Sequence, residues 1–423
     1  MSGRVFRRAG GSAARPVGPV GAALSGLTAQ QLSRRSFFGA TAVGALGVVG
    51  GLGLAGGSDF LAPTRARAAG NLPITVINNS GAYDNGNVFI HVVGTLITTG
   101  QQGHVDQSGA FIPASLADNT EADGSAVYGF PLSDWGTVSL PEPISGRLYI
   151  SLGKRLPFKV VGTDAGPGIA HPAGWVESDP SFGILYDSFE FTHQNGAMYC
   201  NSTQVDMFSV PIGIHLQGAG DQRAGFINPG ARGAFFDKLR NTEGFSNLVV
   251  DDRRVIAPSH GIGAGRFSGN YFDGYIGESW DRYSSAEMHV STGTAQYSLR
   301  RDGDALVAYQ DGAERVRFDR PSTADVLFCN GNLAAPNDGV RGPIAAILGA
   351  ALNRSTMRDF TEQPTTDAAQ FYQQPITNHY AAATHAAHSD GRAYGFAFDD
   401  VSAFASYIED GAASSVELTI EPL

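Results

Sequence analysis

Two carboxylates, Glu190 and Asp206, stand sixteen positions apart in segments with the alternating pattern of β-strands. Successive side chains of a strand point to opposite faces, so Glu190 shares a polar face with Thr192 and Gln194, and aromatic residues occupy the other face. Asp206 begins an otherwise apolar face, where partial burial raises the pKa of the carboxyl group unless hydrogen bonds compensate. Hydrolysis of a glycosidic bond needs two carboxyl groups, one protonated and one ionised. On the pattern alone, the alternative that both are surface charges or turn formers stays open.

Other reactive motifs offer no competing chemistry. The glycine-rich segment 260–265 is followed by a poor helix start, whereas a dinucleotide-binding loop opens a helix, so we predict a plain glycine turn. The sequence contains no P-loop and no G-x-S-x-G nucleophile motif. No Cys/His spacing is typical of a zinc site, and His379, His385 and His388 lie in an alanine-rich segment that predicts an ordinary helix. We therefore expect neither a metal nor a cofactor.

The first 68 residues have the order of an export signal. Arg34-Arg35 precedes an uncharged, glycine-rich segment that extends to Ser58, and Ala66-Arg67-Ala68 is a small-x-small cleavage pattern before Ala69. This order predicts a twin-arginine signal peptide over residues 1–68 and a secreted, extracellular mature protein. The alternative is an uncleaved membrane anchor over residues 36–58, which is just long enough to span a bilayer and would favour a structural protein of the cell surface.

The charge of the mature chain excludes two classes of partner. Residues 1–68 carry eight arginines and one aspartate, so their removal changes the formal net charge from −11 to −18. Such a surface repels nucleic acid and anionic membranes. It suits an extracellular enzyme that acts on a neutral polymer.

The mature sequence has two parts with different patterns. Residues 69–220 show strand patterns without a convincing amphipathic helix, which predicts a β-sandwich or β-barrel. Residues 221–388 predict a mixed α/β unit, and residues 389–423 predict strands that return to the first part. The predicted strands are Ile74–Ile77 and Val88–Val93 as a hairpin, Arg147–Leu152, Phe158–Val161, Leu185–His193, Val205–Gln217, Leu248–Asp252, Arg254–Ala257, Gln296–Tyr309, Glu314–Phe318, Ala393–Phe398 and Ser415–Ile420. The predicted helices are Ala234–Asn241, Ile344–Leu352, Asp367–Gln374 and His379–His388.

The two carboxylates belong to a longer motif, Glu190-Phe-Thr followed by Tyr199-Cys-Asn-Ser-Thr-Gln-Val-Asp206-Met-Phe. This motif resembles the signature of glycoside hydrolase family 64, the laminaripentaose-producing β-1,3-glucanases, whose barrel half resembles thaumatin-like proteins. The opening segment 74–80 is similar to the first strand of that barrel, and segment 392–401 is similar to the closing segment of the family. The resemblance spans most of residues 72–402.

The resemblance implies roles for individual residues. Glu190 would be the general acid and Asp206 the general base of an inverting mechanism. The implied glucan contacts are Thr192, Gln194, Tyr199 and Thr203. Two of them depart from the family pattern, which has Asn at position 194 and Trp at position 199. Because the ring of Tyr199 offers less stacking area than Trp, we expect differences in glucan affinity and product length.

The implied protein is mainly β, with a thaumatin-like β-barrel or sandwich joined to a mixed α/β second domain and a glucan groove between them. It would be an endo-acting hydrolase of β-1,3-glucan that releases short laminarioligosaccharides without a cofactor. We expect a monomer with no stable membrane association after leader cleavage. The alternative is a non-catalytic, thaumatin-like β-glucan-binding protein, although a binder has no need of the carboxylate pair.

One local signal conflicts with the carboxylate pair. Asn195-Gly196 is typical of a two-residue hairpin, and a tight hairpin places Asn201 opposite Glu190. Asp206 would then lie five residues further along, ~17 Å away at about 3.4 Å per residue, whereas inversion needs roughly 6.5–9.5 Å. We therefore predict a loop or bulge between Asn195 and Asn201.

The two cysteines, Cys200 and Cys329, leave two possibilities. An exported chain favours one disulfide between them. Two buried free thiols are the alternative, and they would suit a protein that is exported already folded.

Overall fold

The computed structural model describes residues 71–423, so the predicted leader lies outside the described residues. Strands are numbered β1–β23 and helices α1–α7 in chain order. The helices are α1 (Leu132–Trp135), α2 (Ala231–Arg240), α3 (Pro258–Gly263), α4 (Asp273–Arg282), α5 (Thr323–Phe328), α6 (Arg341–Asn353) and α7 (His379–Ala387), with 3₁₀ turns at Asn85–Asn87, Leu116–Asp118, Ser246–Leu248, Gly331–Leu333 and Ala368–Gln370. Within residues 71–423, no helix is both long enough and apolar enough to cross a membrane.

Two sheets form the region that carries Glu190. The smaller sheet contains, in spatial order, β14 (Asp221–Ala224), β13 (Ile212–Gln217), β23 (Ser415–Ile420), β1 (Leu72–Asn78) and β6 (Thr137–Leu140). The larger sheet contains β22 (Tyr407–Asp410), β11 (Ala197–Ser202), β10 (Leu185–Gln194), β7 (Ile144–Leu152), β2 (Val88–Leu96), β3 (Gln102–Val105) and β4 (Phe111–Pro113), with β5 (Gly129–Pro131) paired to β2. A separate hairpin joins β8 (Lys159–Thr163) and β9 (Gly166–Ala170).

The two sheets pack face to face as a sandwich. Ile74 and Leu418 of the smaller sheet share one buried cluster with Ile150 and Phe189 of the larger sheet. The alternating pattern of β10 explains this packing, because the odd-numbered aromatic side chains enter the core and Glu190 remains on the opposite face. Both sheets have distinct edge strands, so neither closes into a barrel in the described part of the chain.

The second region contains helices α2–α7 and two further sheets around its own apolar cluster. One sheet contains β12 (Met207–Phe208), β16 (Arg254–Ile256) and β15 (Val249–Val250), and the other contains β20 (Ala313–Asp319), β19 (Ala305–Gln310), β18 (Gln296–Asp302), β17 (Met288–Ser291) and β21 (Glu362–Gln363). Strand β12 follows Asp206 directly and pairs with β16. The chain therefore enters the second region immediately after this carboxylate.

Several sequence predictions are wrong because distant contacts decide the local structure. Strand β1 pairs with β23 and β6 rather than with β2, since β1 and β2 belong to opposite sheets of the sandwich. Segment 393–398 is irregular and ends in a turn, and it buries Phe396 in the second core instead of forming a strand. The predicted helix Asp367–Gln374 is reduced to a 3₁₀ turn.

Two further predictions are wrong at positions that matter for the site. The glycine-rich segment 260–265 is not a plain turn, because α3 begins at Pro258 and continues to Gly263. Proline suits this first helical position, where its missing N–H has no intrahelical partner to lose. Of the two possibilities for the cysteines, the favoured disulfide is wrong and the alternative of free thiols is confirmed, since Cys200 and Cys329 are unpaired and buried in separate cores.

Candidate active site

Glu190 lies in the middle of β10, between two neighbouring strands of the larger sheet. Its cross-strand partners are Arg147 on β7 and Asn201 on β11, so the three side chains share one face. The Arg147 guanidinium donates from Nη2 to Glu190 Oε1, and Asn201 Nδ2 donates to Oε2 at 3.4 Å. The Glu190 side chain is 21% exposed. The ladder on both sides therefore fixes where this carboxylate stands.

Asp206 lies in segment 203–206, which has no ladder partner and connects the two regions. Its backbone oxygen accepts a hydrogen bond from the N–H of Ala257 at 3.0 Å. Its side chain is 9% exposed, and Oδ1 lies 2.7 Å from His260 Nε2 on α3. Contacts from the second region therefore position this carboxylate.

Arg147 connects the two carboxylates. While its Nη2 donates to Glu190, its Nη1 lies 3.9 Å from Asp206 Oδ2. Both nitrogens belong to one planar guanidinium, so the nearest carboxylate oxygens are at most about 9 Å apart. This limit rules out the ~17 Å of a continued ladder, and it admits the roughly 6.5–9.5 Å of an inverting pair as well as the shorter separation of a retaining pair. Burial disfavours the charge of Arg147, but Glu190, Tyr149 and Asp206 together raise its pKa well above the ordinary value.

The sequence predicts a tight hairpin at Asn195-Gly196 and an interruption of the strand pairing that follows it, and only the hairpin is confirmed. Asn195 and Gly196 have φ values of 56° and 74°, as a tight turn with two positive φ angles requires. The ladder then runs without interruption and does place Asn201 opposite Glu190. The loop or bulge predicted between Asn195 and Asn201 is therefore wrong. The chain leaves the register only after Ser202, and segment 203–206 brings Asp206 to Arg147.

The four predicted glucan contacts occupy two places. Thr192 and Tyr199 are cross-strand partners on the same face as Glu190, and Thr192 Oγ1 lies 2.9 Å from Ser145 Oγ. Gln194 stands on that face at the end of the hairpin, paired with Ala197. Together with Glu190 they form a polar strip along β10 and β11.

Thr203 lies instead in a small pocket beside Asp206. The pocket also contains a third carboxylate, Asp187, which accepts hydrogen bonds from the N–H groups of Ser209 at 2.9 Å and Val210 at 3.1 Å. Burial raises the pKa of Asp187 to about 7, in spite of these hydrogen bonds. The lining residues are Arg147, Tyr149, Pro172, Trp175, Tyr186, Asp187, Ser188, Thr203, Asp206 and Met207.

No group of three or more His, Cys, Asp or Glu side chains within residues 71–423 is arranged to hold a metal ion. The site offers paired carboxylates, one guanidinium and a polar strip. This arrangement suits acid–base chemistry on a neutral polymer with hydroxyl groups.

A family model described as β-1,3-glucanase matches residues 70–420. The chain belongs to glycoside hydrolase family 64. This family 64 chain is 34% identical over 377 residues to a glucan endo-1,3-β-glucosidase of Arthrobacter sp. (strain YCWD3), covering 85% of this chain and 67% of the relative. A glucan endo-1,3-β-glucosidase of Cellulosimicrobium cellulans matches with the same identity and coverage.

Solved structures show the same relationship. The family 64 chain resembles a laminaripentaose-producing β-1,3-glucanase in complex with laminaritetraose, with a TM-score of 0.75 and 33% identity over 84% of this chain and 99% of the other. It also resembles a β-1,3-glucanase domain of Clostridium beijerinckii, with a TM-score of 0.76 and 28% identity over 85% of this chain and 100% of the other. These matches cover both regions of the family 64 chain.

Three residues of this family 64 site were not predicted from the sequence. Arg147 is opposite Glu190 only through the pairing of β7 with β10, which the separate strand patterns do not reveal. His260 was assigned to a glycine turn, although Pro258 is a recognised signal for a helix start. Trp175 lies in a loop between β9 and β10 without periodicity, so no sequence signal places it beside Asp206.

Proposed function

We propose that this glycoside hydrolase is an endo-β-1,3-glucanase that releases short laminarioligosaccharides by inversion, with Glu190 as general acid and Asp206 as general base. The observation that carries the assignment of the pair is the Arg147 guanidinium, which contacts both carboxylates at the end of a polar strip. The two groups differ in exposure and in partners, as an acid and a base must differ in environment.

In the proposed reaction, Glu190 protonates the glycosidic oxygen as the bond to the anomeric carbon breaks. Asp206 takes a proton from a water molecule that attacks that carbon from the opposite face. The leaving chain gains one proton and the new reducing end gains the hydroxyl group, so water is divided between the two products. Each proton transfer is worth ~10²–10⁴ in rate.

Arg147 supports this reaction through its charge. The guanidinium, which contacts Glu190 Oε1, stabilises the carboxylate that forms when Glu190 gives up its proton. Catalytic hydrogen bonds commonly reach their final geometry only with substrate.

We propose that Thr192, Gln194, Tyr199 and Thr203 bind glucan. Tyr199 is partly exposed beside Thr192 and presents an aromatic ring to the polar strip, and such a ring combines an apolar face with a polar tip. The glucan would lie in a groove between the sandwich, which we infer to be thaumatin-like, and the mixed α/β region. The proposed division is residues 69–220 with the return of 389–423, and residues 221–388.

Export by the twin-arginine route remains part of the proposal, and it rests on Arg34-Arg35 and Ala66-Arg67-Ala68. The mature protein should begin at or near Ala69, act outside the cell as a monomer and have no stable membrane association. N-terminal sequencing of the protein recovered from the culture medium tests the cleavage site. A mature protein that retains residues 36–58 would contradict it.

The test of activity uses the purified mature protein with linear β-1,3-glucan, and linear β-1,4-glucan as the control polymer. Chromatography should show short oligosaccharides from the first polymer and none from the second. Proton NMR during the first minutes should show the α-anomer of the new reducing end, because inversion at a β-linkage gives α. Early formation of the β-anomer would exclude inversion, and binding without products would favour the glucan-binding alternative.

A further inference from the structure

His260 contacts Asp206 from the second region of the molecule. Helix α3 places its Nε2 at 2.7 Å from Asp206 Oδ1, and the N–H of Ala257, just before the helix, donates to the Asp206 backbone oxygen at 3.0 Å. One short segment, 257–260, therefore holds both the backbone and the side chain of this residue.

The plane of the His260 ring is fixed by two aromatic neighbours. Trp175 stacks on it with ring centroids 4.3 Å apart and an interplanar angle of 23°. Phe328 meets the ring edge-on at 5.5 Å and 88°. The His260 side chain is 15% exposed. Rotation of the imidazole would break the stack, so Nε2 stays directed at Asp206.

The loop that carries Trp175 is itself held in place. The N–H of Gly174 donates to the Tyr186 hydroxyl oxygen at 2.6 Å, and Arg254 Nη1 donates to the Gly174 carbonyl at 2.9 Å. A Cβ atom at Gly174 would lie only 1.9 Å from Arg254 Nη1. A side chain at position 174 would displace the buried Arg254 guanidinium, whose close approach fixes the backbone next to Trp175.

We propose that His260 is a positioning residue for the general base, with its orientation set by the Trp175 stack. Its Nε2–H donates to Oδ1 of Asp206. The second oxygen, Oδ2, then faces the Arg147 side of the groove and accepts the proton of the attacking water. An aspartate in a segment without ladder partners needs this restraint, because small displacements of a catalytic group reduce rate steeply. This inference rests on the proposed role of Asp206 as base.

Steady-state kinetics on a soluble laminarioligosaccharide test the proposal. His260→Ala should lower kcat on the order of 10-fold to 10²-fold, while KM changes less than about twofold because His260 acts through Asp206 rather than on the sugar. His260→Gln, whose amide nitrogen takes the place of Nε2, should regain most of the lost kcat. Unchanged kcat in His260→Ala, or no recovery in His260→Gln, would overturn the proposal.

A double-mutant cycle separates this role from general structural support. In the Asp206→Asn background, His260→Ala should cause no further loss of kcat, because the residue that it positions no longer acts as a base. Losses that multiply would show that His260 acts elsewhere and would overturn the proposal. His289→Ala, at an exposed position of β17, is the matched control and should behave as wild type. If Asp206→Asn alone keeps wild-type turnover, the assignment of the base fails, whatever His260 does.

Discussion

Different parts of the molecule position Glu190 and Asp206. Glu190 stands in a regular ladder, between β7 and β11, where backbone hydrogen bonds over nine residues set its place. Asp206 stands where the ladder has ended, and the segment 257–260 of the other region holds it. The comparison shows that one carboxylate depends on a single sheet, whereas the other depends on how the two regions meet.

The largest expected effect is the loss of either carboxyl function. Glu190→Gln and Asp206→Asn keep the shape of each side chain and remove its acid–base chemistry, so each should lower kcat by ~10²–10⁴. Equal losses are expected although the two residues are held so differently. Steady-state kinetics with circular dichroism as the check on folding measures this. Near wild-type turnover in one variant would remove that residue from the mechanism.

Arg147 contacts both carboxylates, so its removal should affect them together. In Arg147→Gln the guanidinium that contacts both carboxylates is replaced by a neutral amide. The negative charge that develops on Glu190 during proton transfer then loses its stabilisation, so kcat should fall by ~10²–10³. Arg300→Gln, at an exposed position of β18 in the second region, is the control and should keep the wild-type kcat. An unchanged kcat in Arg147→Gln would contradict a catalytic contribution of the shared guanidinium.

Substitutions of Tyr199 test whether the polar strip along β10 and β11 binds glucan. If its ring stacks on a sugar, Tyr199→Ala should weaken glucan binding by ~1 kcal/mol and Tyr199→Trp should strengthen it. Isothermal titration with a laminarioligosaccharide and the inactive Glu190→Gln variant measures this without hydrolysis. Tyr309→Ala, on β19, serves as the aromatic control. Unchanged affinity in both Tyr199 variants would make Tyr199 a packing residue.

The effect expected at Asp187 concerns the stability of the fold rather than catalysis. Burial raises its pKa to about 7, so the folded state binds the proton more tightly than the unfolded chain. The resulting stability is present below the ordinary aspartate pKa and is lost as the pH rises through about 7. The free energy of unfolding of Asp187→Asn should therefore equal that of wild type below pH ~4. Between pH ~4 and ~7 it should exceed the wild-type value by a growing amount. Urea unfolding of both proteins at several pH values measures this. If their free energies of unfolding differ by the same amount at every pH, the raised pKa of Asp187 is contradicted.

The same comparison explains what could be predicted from the sequence. The strand of Glu190 was predicted as Leu185–His193 and is Leu185–Gln194, since alternation and the Asn195-Gly196 turn are local signals. The hairpin register that places Asn201 opposite Glu190 follows from that turn alone.

The sequence pattern predicts Asp206 near the start of one long strand, Val205–Gln217, whereas the structure has two strands there, β12 and β13. Its neighbours could not be predicted because the decisive contacts come from 54 residues away at His260. Helix α3 was missed for the same reason, since it has six residues and three of them are buried against the second region. Packing, rather than helix propensity, stabilises so short a helix.

The free thiols of Cys200 and Cys329 bear on the compartment in which the chain folds. Each is buried in a different core, and burial raises the pKa of both, so little reactive thiolate forms. No step of folding within residues 71–423 then requires an oxidant. The cytoplasm is reducing and disfavours disulfides, and a fold that needs no disulfide can form there. A twin-arginine leader would export a chain in that condition.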